Sequence, residues 1–224
     1  MLIKVCGLRD PENICNVINL GIDLLGLAFC KESPRCVSLV DSNAGIVPDR
    51  IDEKTSEAVC SGEARRVGVF FNEIPQTIIT AVYNFSLHCV QLSGDESPIY
   101  IDNLRRTLDP DIQPGMQIIK SIVVNSISDI LNAEAYEGHA DMFLFTSGNP
   151  ACDDHSSFEW SMLEAYKGQT PFLLGGNIDP DDAERILSFH HPQFLGIDVG
   201  SRFEQSPAVM DIDKLTSFIN KIRK

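Results

Sequence analysis

Basic side chains are scarce in this sequence of 224 residues: 18 lysines and arginines stand against 32 aspartates and glutamates, for a formal net charge of −14. Proteins that bind nucleic acid carry a basic stripe or patch, and none is visible here. Acidity of this size also opposes binding to anionic membranes. We therefore expect neither nucleic acid nor membrane as a partner. A small anionic substrate stays open if a few Arg, Lys and backbone N–H groups converge on it.

Paired cysteines, long apolar runs and linkers are lacking as well. The seven cysteines are odd in number and contain no CxxC pair, and several lie in apolar runs. There a free cysteine behaves as a small hydrophobic residue. With no signal peptide, this pattern predicts a reduced, cytoplasmic protein. The longest apolar runs are far too short to span a bilayer. No low-complexity segment divides the chain, so a single domain over residues 1–224 is expected.

What the sequence does contain is a regular alternation of two kinds of segment. Apolar runs predict strands at 2–6, 23–29, 66–71, 88–92, 117–124, 142–146, 171–175 and 194–199. Helices are predicted within 10–21, 42–60, 75–84, 96–107, 126–134, 159–166, 180–189 and 211–224, the second being the least regular. Continuous apolar strands are typical of a parallel sheet covered on both faces. Eight βα units predict an α/β fold, a single (β/α)₈ TIM barrel, with a doubly wound open sheet as the alternative.

In such a barrel the active site lies at the carboxyl ends of the strands. Cys6 there is a candidate general base, provided that neighbours lower its pKa toward neutrality; the alternative is a buried structural thiol. Arg35, in "SPR", is suited to clamp a carboxylate or phosphate, or is simply solvated. Glycine-bearing loops around 175–177 and 200–202 favour phosphate binding, because backbone N–H groups can approach an anion closely there.

The stretch "FLFTSGNPACDDHSSFEW" ends a strand at Thr146 and then crosses a polar loop on the same face. Its run from Cys152 to His155 contains side chains that bind metals. Four adjacent residues rarely all reach one ion, and the spacing is not that of a zinc site. No metal is therefore expected.

Several segments occur in order from one end of the chain to the other: "IKVCGLRDPEN", "SPRCVS", "RVGVFFNE", "VQLSGDESP", "PFLLGGNIDPDDA" and "GIDVGSRFEQSP". Together they resemble the phosphoribosylanthranilate isomerase family of tryptophan biosynthesis. The resemblance implies a (β/α)₈ barrel without metal or organic cofactor, monomeric or homodimeric. It implies an Amadori rearrangement of a small phosphorylated substrate, N-(5-phosphoribosyl)anthranilate, into an aminoketose. In that reaction a base removes the proton from ribose C2 and an acid protonates the ring oxygen.

The resemblance also implies roles for particular residues. It places the base at Cys6, the contact to the substrate carboxylate at Arg35, and Asp198 near the substrate. It implies a phosphate site on the backbone around Gly175, Gly176, Gly200 and Ser201.

Four features at the rim of this site depart from the family pattern. The family's acid, an Asp at the end of strand six, is replaced by Thr146, whose hydroxyl has far too high a pKa for the task. The Gly-rich loop that should follow reads "GNPACDDHSS", and its two Asp would repel a phosphate. Ser93 replaces a His. Arg202 replaces a Gly, where it either adds a positive contact or fills the pocket.

Three hypotheses follow from the pattern and its departures. The preferred one is an isomerase of this family. Its activity is either weakened by loss of the usual acid or maintained by Asp153 or Asp154 as substitute acid. The second is an isomerase-like paralogue that binds a phosphorylated ligand or a partner without this activity. The third is a barrel enzyme with an altered substrate, assisted by a metal at Cys152 to His155.

Overall fold

The computed structural model describes residues 1–38, 63–148 and 157–223, and these form a closed barrel of eight parallel strands. In chain order, β1 to β8 are Leu2–Cys6, Leu24–Ala28, Arg65–Phe70, Cys89–Leu92, Gln117–Val123, Met142–Thr146, Phe172–Leu174 and Phe194–Val199. Each strand pairs with the next along the chain, and β8 closes the barrel against β1. The predicted TIM barrel is confirmed, and the open doubly wound sheet is excluded by this closure.

Helices cover the outside of the barrel. In chain order, α1 to α6 are Pro11–Ile18, Pro75–Phe85, Pro98–Leu108, Ile127–Asn132, Ala183–Ser188 and Ile212–Ile222. The first three begin at proline, whose missing N–H costs nothing in the first turn. Asp10 caps α1, accepting a hydrogen bond from the Asn13 backbone N at 2.8 Å. The helix predicted within 42–60 lies outside the described residues. Within the described ranges, no helix has the length and apolar character needed to cross a bilayer.

Some predicted helices are shorter or more tightly wound in the structure. The helix expected at 159–166 is a 3₁₀ helix, Trp160–Ala165. It ends where Tyr166 turns to extended backbone and its hydroxyl donates to the Thr170 carbonyl at 2.9 Å. The helix expected at 180–189 begins as a 3₁₀ turn, as helix ends often do. Two short antiparallel strands, β9 (Glu204–Ser206) and β10 (Val209–Met210), were not predicted, because β9 is polar and β10 is only two residues long.

The barrel interior changes character along its axis. A cluster of apolar side chains fills its lower part: Leu24, Val67, Cys89, Ile119, Met142, Leu144 and Leu173. Because side chains alternate along a strand, the residue two positions later on each strand faces the interior one layer nearer the carboxyl ends. On β4, β5 and β6 those residues are Gln91, Ser121 and Thr146. The floor of the barrel mouth is therefore polar and rests on an apolar plug.

Candidate active site

A cavity of about 170 Å³ opens at the carboxyl ends of the strands. Its wall includes most of the site residues predicted from the sequence: Cys6, Arg35, Thr146, Gly176, Asp198, Gly200, Ser201 and Arg202. The barrel thus brings the first strand, the β2 loop and the last three strands to one place. This is the face on which TIM barrels carry their active sites.

A buried charge pair lies at the base of the cavity beside Cys6. Lys4 and Asp198 are register neighbours on β1 and β8. The Lys4 Nζ donates to both carboxylate oxygens of Asp198 at 2.9 Å, and the Lys4 side chain is fully buried. Burial lowers the pKa of Lys4, but Asp198 and Cys6 raise it by more, so the ammonium stays charged. Sequence reasoning missed Lys4; the signal that could have indicated it is a single charge inside an apolar strand.

The Cys6 thiol does not have the lowered pKa that the sequence interpretation required. Burial is the largest influence and raises the pKa of Cys6. Lys4 and Arg35 lower it, Asp198 raises it, and the net direction is upward. The carboxylate that holds Lys4 in place also cancels part of the effect of its charge. We conclude that the thiol is protonated at neutral pH.

Glycine on the neighbouring strand makes room for this thiol. A Cβ at Gly26 would lie 2.8 Å from the Cys6 Sγ, which is closer than real Cβ contacts come. Gly26 is the register partner of Cys6 on β2. The Cys6 thiol therefore packs against the backbone of β2 at Gly26.

Arg35 is held at the cavity edge by a partner that sequence reasoning missed. Its Nε and Nη2 donate to the two carboxylate oxygens of Glu204 at 2.7 and 2.6 Å. This bidentate pair fixes the plane of the guanidinium. The stem of Arg35 passes over Gly7, where a Cβ would lie 2.6 Å from the Arg35 Cδ and where φ is +94°. Glycine at this position lets the arginine lie across the mouth.

The β6 side of the cavity lacks an acid among the described residues. Thr146 ends β6 and lines the cavity, with its hydroxyl making only a long contact of 3.4 Å to the Ser147 carbonyl. Asp153 and Asp154, the predicted substitute acids, lie outside the described residues, as does the run from Cys152 to His155. In residues 1–38, 63–148 and 157–223 no group of three or more His, Cys, Asp or Glu side chains could hold a metal ion.

Gly175 and Gly176, which follow β7, have different structural roles. Gly176 lines the cavity at φ +82°, and a Cβ there would lie 2.4 Å from the Ser147 backbone N. The β6 and β7 loops can therefore touch only because this residue is glycine. Gly175 sits one position deeper, where a Cβ would lie 2.9 Å from the Leu144 Cδ1. Its part in the structure is close packing against the barrel interior.

The loop after β8 supplies a positive charge at the rim. Arg202 is exposed, and its Nε donates to the Asn177 Oδ1 at 2.6 Å. Arg202 lines the cavity although it is exposed, and an added positive contact at the rim stays a prediction. Gly200 and Ser201 form the adjacent cavity wall.

Ser93 belongs to a buried polar cluster beneath the cavity. The Gln91 Nε2 donates to the Ser93 and Ser121 hydroxyls at 3.1 Å each, and the two hydroxyls are 3.0 Å apart. Gln91 and Ser121 line the candidate site, whereas Ser93 borders a neighbouring cavity of about 560 Å³ that also touches Ser121. Sequence reasoning missed Gln91 and Ser121; the signal that could have indicated the cluster is a glutamine within the apolar strand "CVQL".

The "GDES" segment after β4 has a structural role. The Glu96 carboxylate accepts hydrogen bonds from the backbone N of Asn72 at 2.9 Å and of Gly94 at 3.0 Å. It also accepts one from the Lys120 Nζ at 3.1 Å, and both side chains are 2% exposed. Lys120 gives further hydrogen bonds to backbone carbonyls of the β4 end. These contacts tie the ends of β3, β4 and β5 together and leave Lys120 fully engaged.

Comparisons with known proteins confirm the resemblance seen in the sequence. The family model described as N-(5'phosphoribosyl)anthranilate (PRA) isomerase matches residues 3–221. N-(5'-phosphoribosyl)anthranilate isomerase of Parabacteroides distasonis is 37% identical, covering 99% of this chain and 93% of the relative. The enzyme of the same name from Phocaeicola vulgatus is 36% identical, covering 100% and 98%.

Solved structures show the same fold. Phosphoribosyl anthranilate isomerase from Thermus thermophilus superposes with a TM-score of 0.79 at 20% identity, covering 100% of this chain and 98% of the other. A phosphoribosyl anthranilate isomerase in complex with reduced 1-(o-carboxyphenylamino)-1-deoxyribulose 5-phosphate superposes with a TM-score of 0.76 at 22% identity, covering 100% and 98%.

Proposed function

The chain belongs to the N-(5′-phosphoribosyl)anthranilate isomerase family, and we propose that it isomerises this aminoaldose to the aminoketose with Cys6 as the base. The observation that carries the assignment is the place of the Cys6 thiol, at the end of β1 in the cavity wall and beside the Lys4–Asp198 pair. The buried Lys4 ammonium favours loss of the Cys6 thiol proton, because an opposite charge nearby stabilises the thiolate.

The proposed reaction moves protons and leaves the atom count unchanged. Protonation of the ring oxygen opens the furanose as the amine lone pair forms the C1–N double bond. The Cys6 thiolate then removes the C2 proton, and the C2–H electrons form the C1–C2 double bond of an enolamine. Tautomerisation moves a proton to C1 and leaves the ketone at C2. Lys4 stabilises the thiolate before this step, and Arg35 orients the substrate.

The two charged ends of the substrate find complementary groups in the cavity wall. We assign the anthranilate carboxylate to Arg35, whose guanidinium is already oriented by Glu204. We assign the phosphate to the wall formed by Gly176, Gly200 and Ser201, with Arg202 adding a cation at the rim. The ligand of the related complex has both a carboxyphenyl group and a 5-phosphate, so it presents the same pair of charges.

The proposed function is tested by turnover and by binding, measured separately. Turnover is kcat/KM on freshly made N-(5′-phosphoribosyl)anthranilate, followed by the appearance of the aminoketose. Binding is the calorimetric Kd of the reduced product analogue. We expect both signals. Tight binding of the analogue without any conversion would instead favour the paralogue that keeps the site and has lost the chemistry.

The pH dependence should report a base with a raised pKa. Because burial raises the pKa of Cys6, the thiolate fraction of the free enzyme is small at neutral pH and grows as pH rises. We expect kcat/KM to increase with pH through and beyond the ordinary thiol value of about 8.5. The measurement is a pH profile of kcat/KM over the range in which the protein stays folded. A plateau that begins at or below neutral pH would mean that the base is not a buried thiol.

Thr146 should limit the rate because it cannot donate the proton that opens the ring. Loss of a positioned acid costs about 10²–10⁴ in rate, so wild-type turnover is expected to be weak. Thr146→Asp should raise kcat/KM by only about tenfold, less than the roughly 10²–10⁴ of a fully effective acid, since the loop sequence "GNPACDDHSS" still lacks the glycines that let backbone N–H groups approach a phosphate. A graft of an Asp followed by a Gly-rich loop over residues 146–157 should raise it further.

The matched control for the graft keeps Thr146 and replaces only residues 147–157 by the Gly-rich loop. It separates improved phosphate binding, seen in KM, from restored proton donation, seen in kcat. Efficient wild-type turnover that disappears in Asp153→Asn or Asp154→Asn would contradict the limiting role of Thr146 and identify that Asp as the acid.

A further inference from the structure

One polar atom in the cavity floor has no partner among the described residues. The Oε1 of Gln91 is buried and makes no hydrogen bond, although the residue is only 2% exposed. The other end of the same amide is fully engaged, since Nε2 donates to the hydroxyls of Ser93 and Ser121 at 3.1 Å each. A buried acceptor without a donor is unfavourable, and native proteins keep few of them.

Exchanging the two ends of the amide does not remove the problem. In the exchanged orientation Oε1 would accept from the serine hydroxyls, and the NH₂ group would then be the end without a partner. The two serines lie 3.0 Å apart and can satisfy each other. Either way, one end of the Gln91 amide is held by serines and the other is left for a group that enters the cavity.

The position of Gln91 indicates which part of the substrate lies beside its free amide end. Gln91 lines the cavity together with Cys6, Thr146 and Asp198. It faces the barrel interior one layer above the apolar plug, because Cys89, two residues earlier on β4, belongs to that plug. The charged ends of the substrate are assigned to Arg35 and to the loops after β7 and β8. The sugar, which connects these two ends, is then the part of the substrate that lies against the β4 side of the cavity floor.

We propose that Gln91 is a substrate-positioning residue whose side-chain carbonyl accepts a hydrogen bond from a ribose hydroxyl. The inference rests on the proposed function and extends it to the sugar. The contact would hold the sugar across the cavity floor and turn its C2–H toward Cys6. A site built to hydrogen-bond a hydroxyl also rejects analogues that lack it, because the protein group is then left unpaired. Gln91 therefore contributes to specificity as well as to orientation.

The test compares two glutamine-to-methionine variants. Gln91→Met keeps the volume and removes the acceptor from the cavity. The matched control is Gln117→Met, because Gln117 also has a buried Oε1 without a hydrogen bond and begins β5 at the opposite end of the barrel. We expect Gln91→Met to weaken binding of the reduced product analogue and to lower kcat/KM by about 10- to 100-fold, as for a lost hydrogen bond to a buried group. Gln117→Met should change neither.

Melting temperature without ligand separates positioning from folding. Gln91→Met removes an unpaired acceptor but also the hydrogen bonds from Nε2 to the Ser93 and Ser121 hydroxyls, so it should melt slightly below the wild type, whereas Gln117→Met should not. A loss of activity in Gln91→Met that disappears at a temperature well below its melting point, where the variant is fully folded, would mean that Gln91 only supports the floor, and would overturn the proposal. So would unchanged analogue binding in Gln91→Met. If the wild type itself neither binds the analogue nor converts substrate, the proposed function fails, which is a different result.

A deoxy substrate identifies the hydroxyl. Anthranilate condensed with 3-deoxyribose 5-phosphate lacks the 3-hydroxyl and keeps the 2-hydroxyl. If the 3-hydroxyl is the donor, Gln91→Met will not lower kcat/KM any further on this substrate, because the hydrogen bond is already absent. This is the non-additivity that a double-mutant cycle measures. If the full cost persists, the donor is the 2-hydroxyl or the 4-hydroxyl that ring opening frees. Equal and small costs on both substrates would count against any contact to the sugar.

Discussion

Replacing Cys6 by serine is expected to lower kcat/KM on phosphoribosylanthranilate by about 10²–10⁴, the loss typical of a missing general base. Serine has nearly the same shape, and the space left by Gly26 accommodates it. Its hydroxyl, however, has far too high a pKa to become a base, even beside the Lys4 ammonium. Chemistry should therefore fail while the fold and the substrate contacts remain. The measurement is kcat/KM together with the Kd of the reduced product analogue.

The control for this variant is a second thiol away from the cavity. Cys30 lies in the loop after β2, where its Sγ contacts the Glu32 carboxylate at 3.2 Å. Cys30→Ser should retain wild-type kcat/KM, and both variants should bind the analogue as the wild type does. If Cys6→Ser keeps most of its activity, another group removes the C2 proton, and Cys6 is a structural thiol.

Replacing Lys4 by methionine is expected to destabilise the protein by about 3–5 kcal/mol, because it leaves the Asp198 carboxylate buried without its partner. The pair is deep in the barrel mouth: Lys4 is fully buried and Asp198 is 11% exposed. The variant should also lose activity, since the ammonium that lowers the Cys6 pKa is gone. The measurement is the free energy of unfolding in urea, with kcat/KM determined on the folded variant.

The double variant Lys4→Met with Asp198→Asn completes this test. Removing both charges should recover most of the lost stability, because no uncompensated charge stays buried. It should not recover activity, which depends on the ammonium. A matched surface control is Arg223→Met, which breaks an exposed pair with Asp23 and should cost about 1 kcal/mol or less. If the double variant is no more stable than Lys4→Met, the lysine acts through packing rather than charge.

The fold could be predicted from the sequence because its signals are local. The apolar pattern within runs such as "RVGVF" and "QIIKSIV" is enough to predict a strand. Proline or a capping Asp marks where a helix begins. The repetition of strand and helix then leaves few topologies to choose from. The type of helix was predicted wrongly where short 3₁₀ turns replace regular α-helix, as at Trp160–Ala165. Side-chain contacts that form only in the folded barrel stop those segments.

Some residues of the candidate site could be named from the sequence, and their partners could not, for one reason. Cys6, Arg35 and Thr146 lie at strand ends or adjoining loops, so position along the chain was enough to find them. Their partners were not found that way. Glu204 lies 169 residues from the Arg35 that it orients, and it stands in a short strand with no pattern of its own. Sequence spacing carries no information about such a pair.

The sequence by itself determined the order of strands and helices, the family and the face of the barrel that carries the site, because apolar spacing, turn residues and motifs are read along the chain. Only the tertiary structure decided the surroundings of Cys6. Closure of β8 on β1 brings Asp198 to Lys4 across 194 residues, and burial then raises the pKa of the neighbouring thiol. Both effects depend on distance through space and on exclusion of water, which exist only once the barrel has closed.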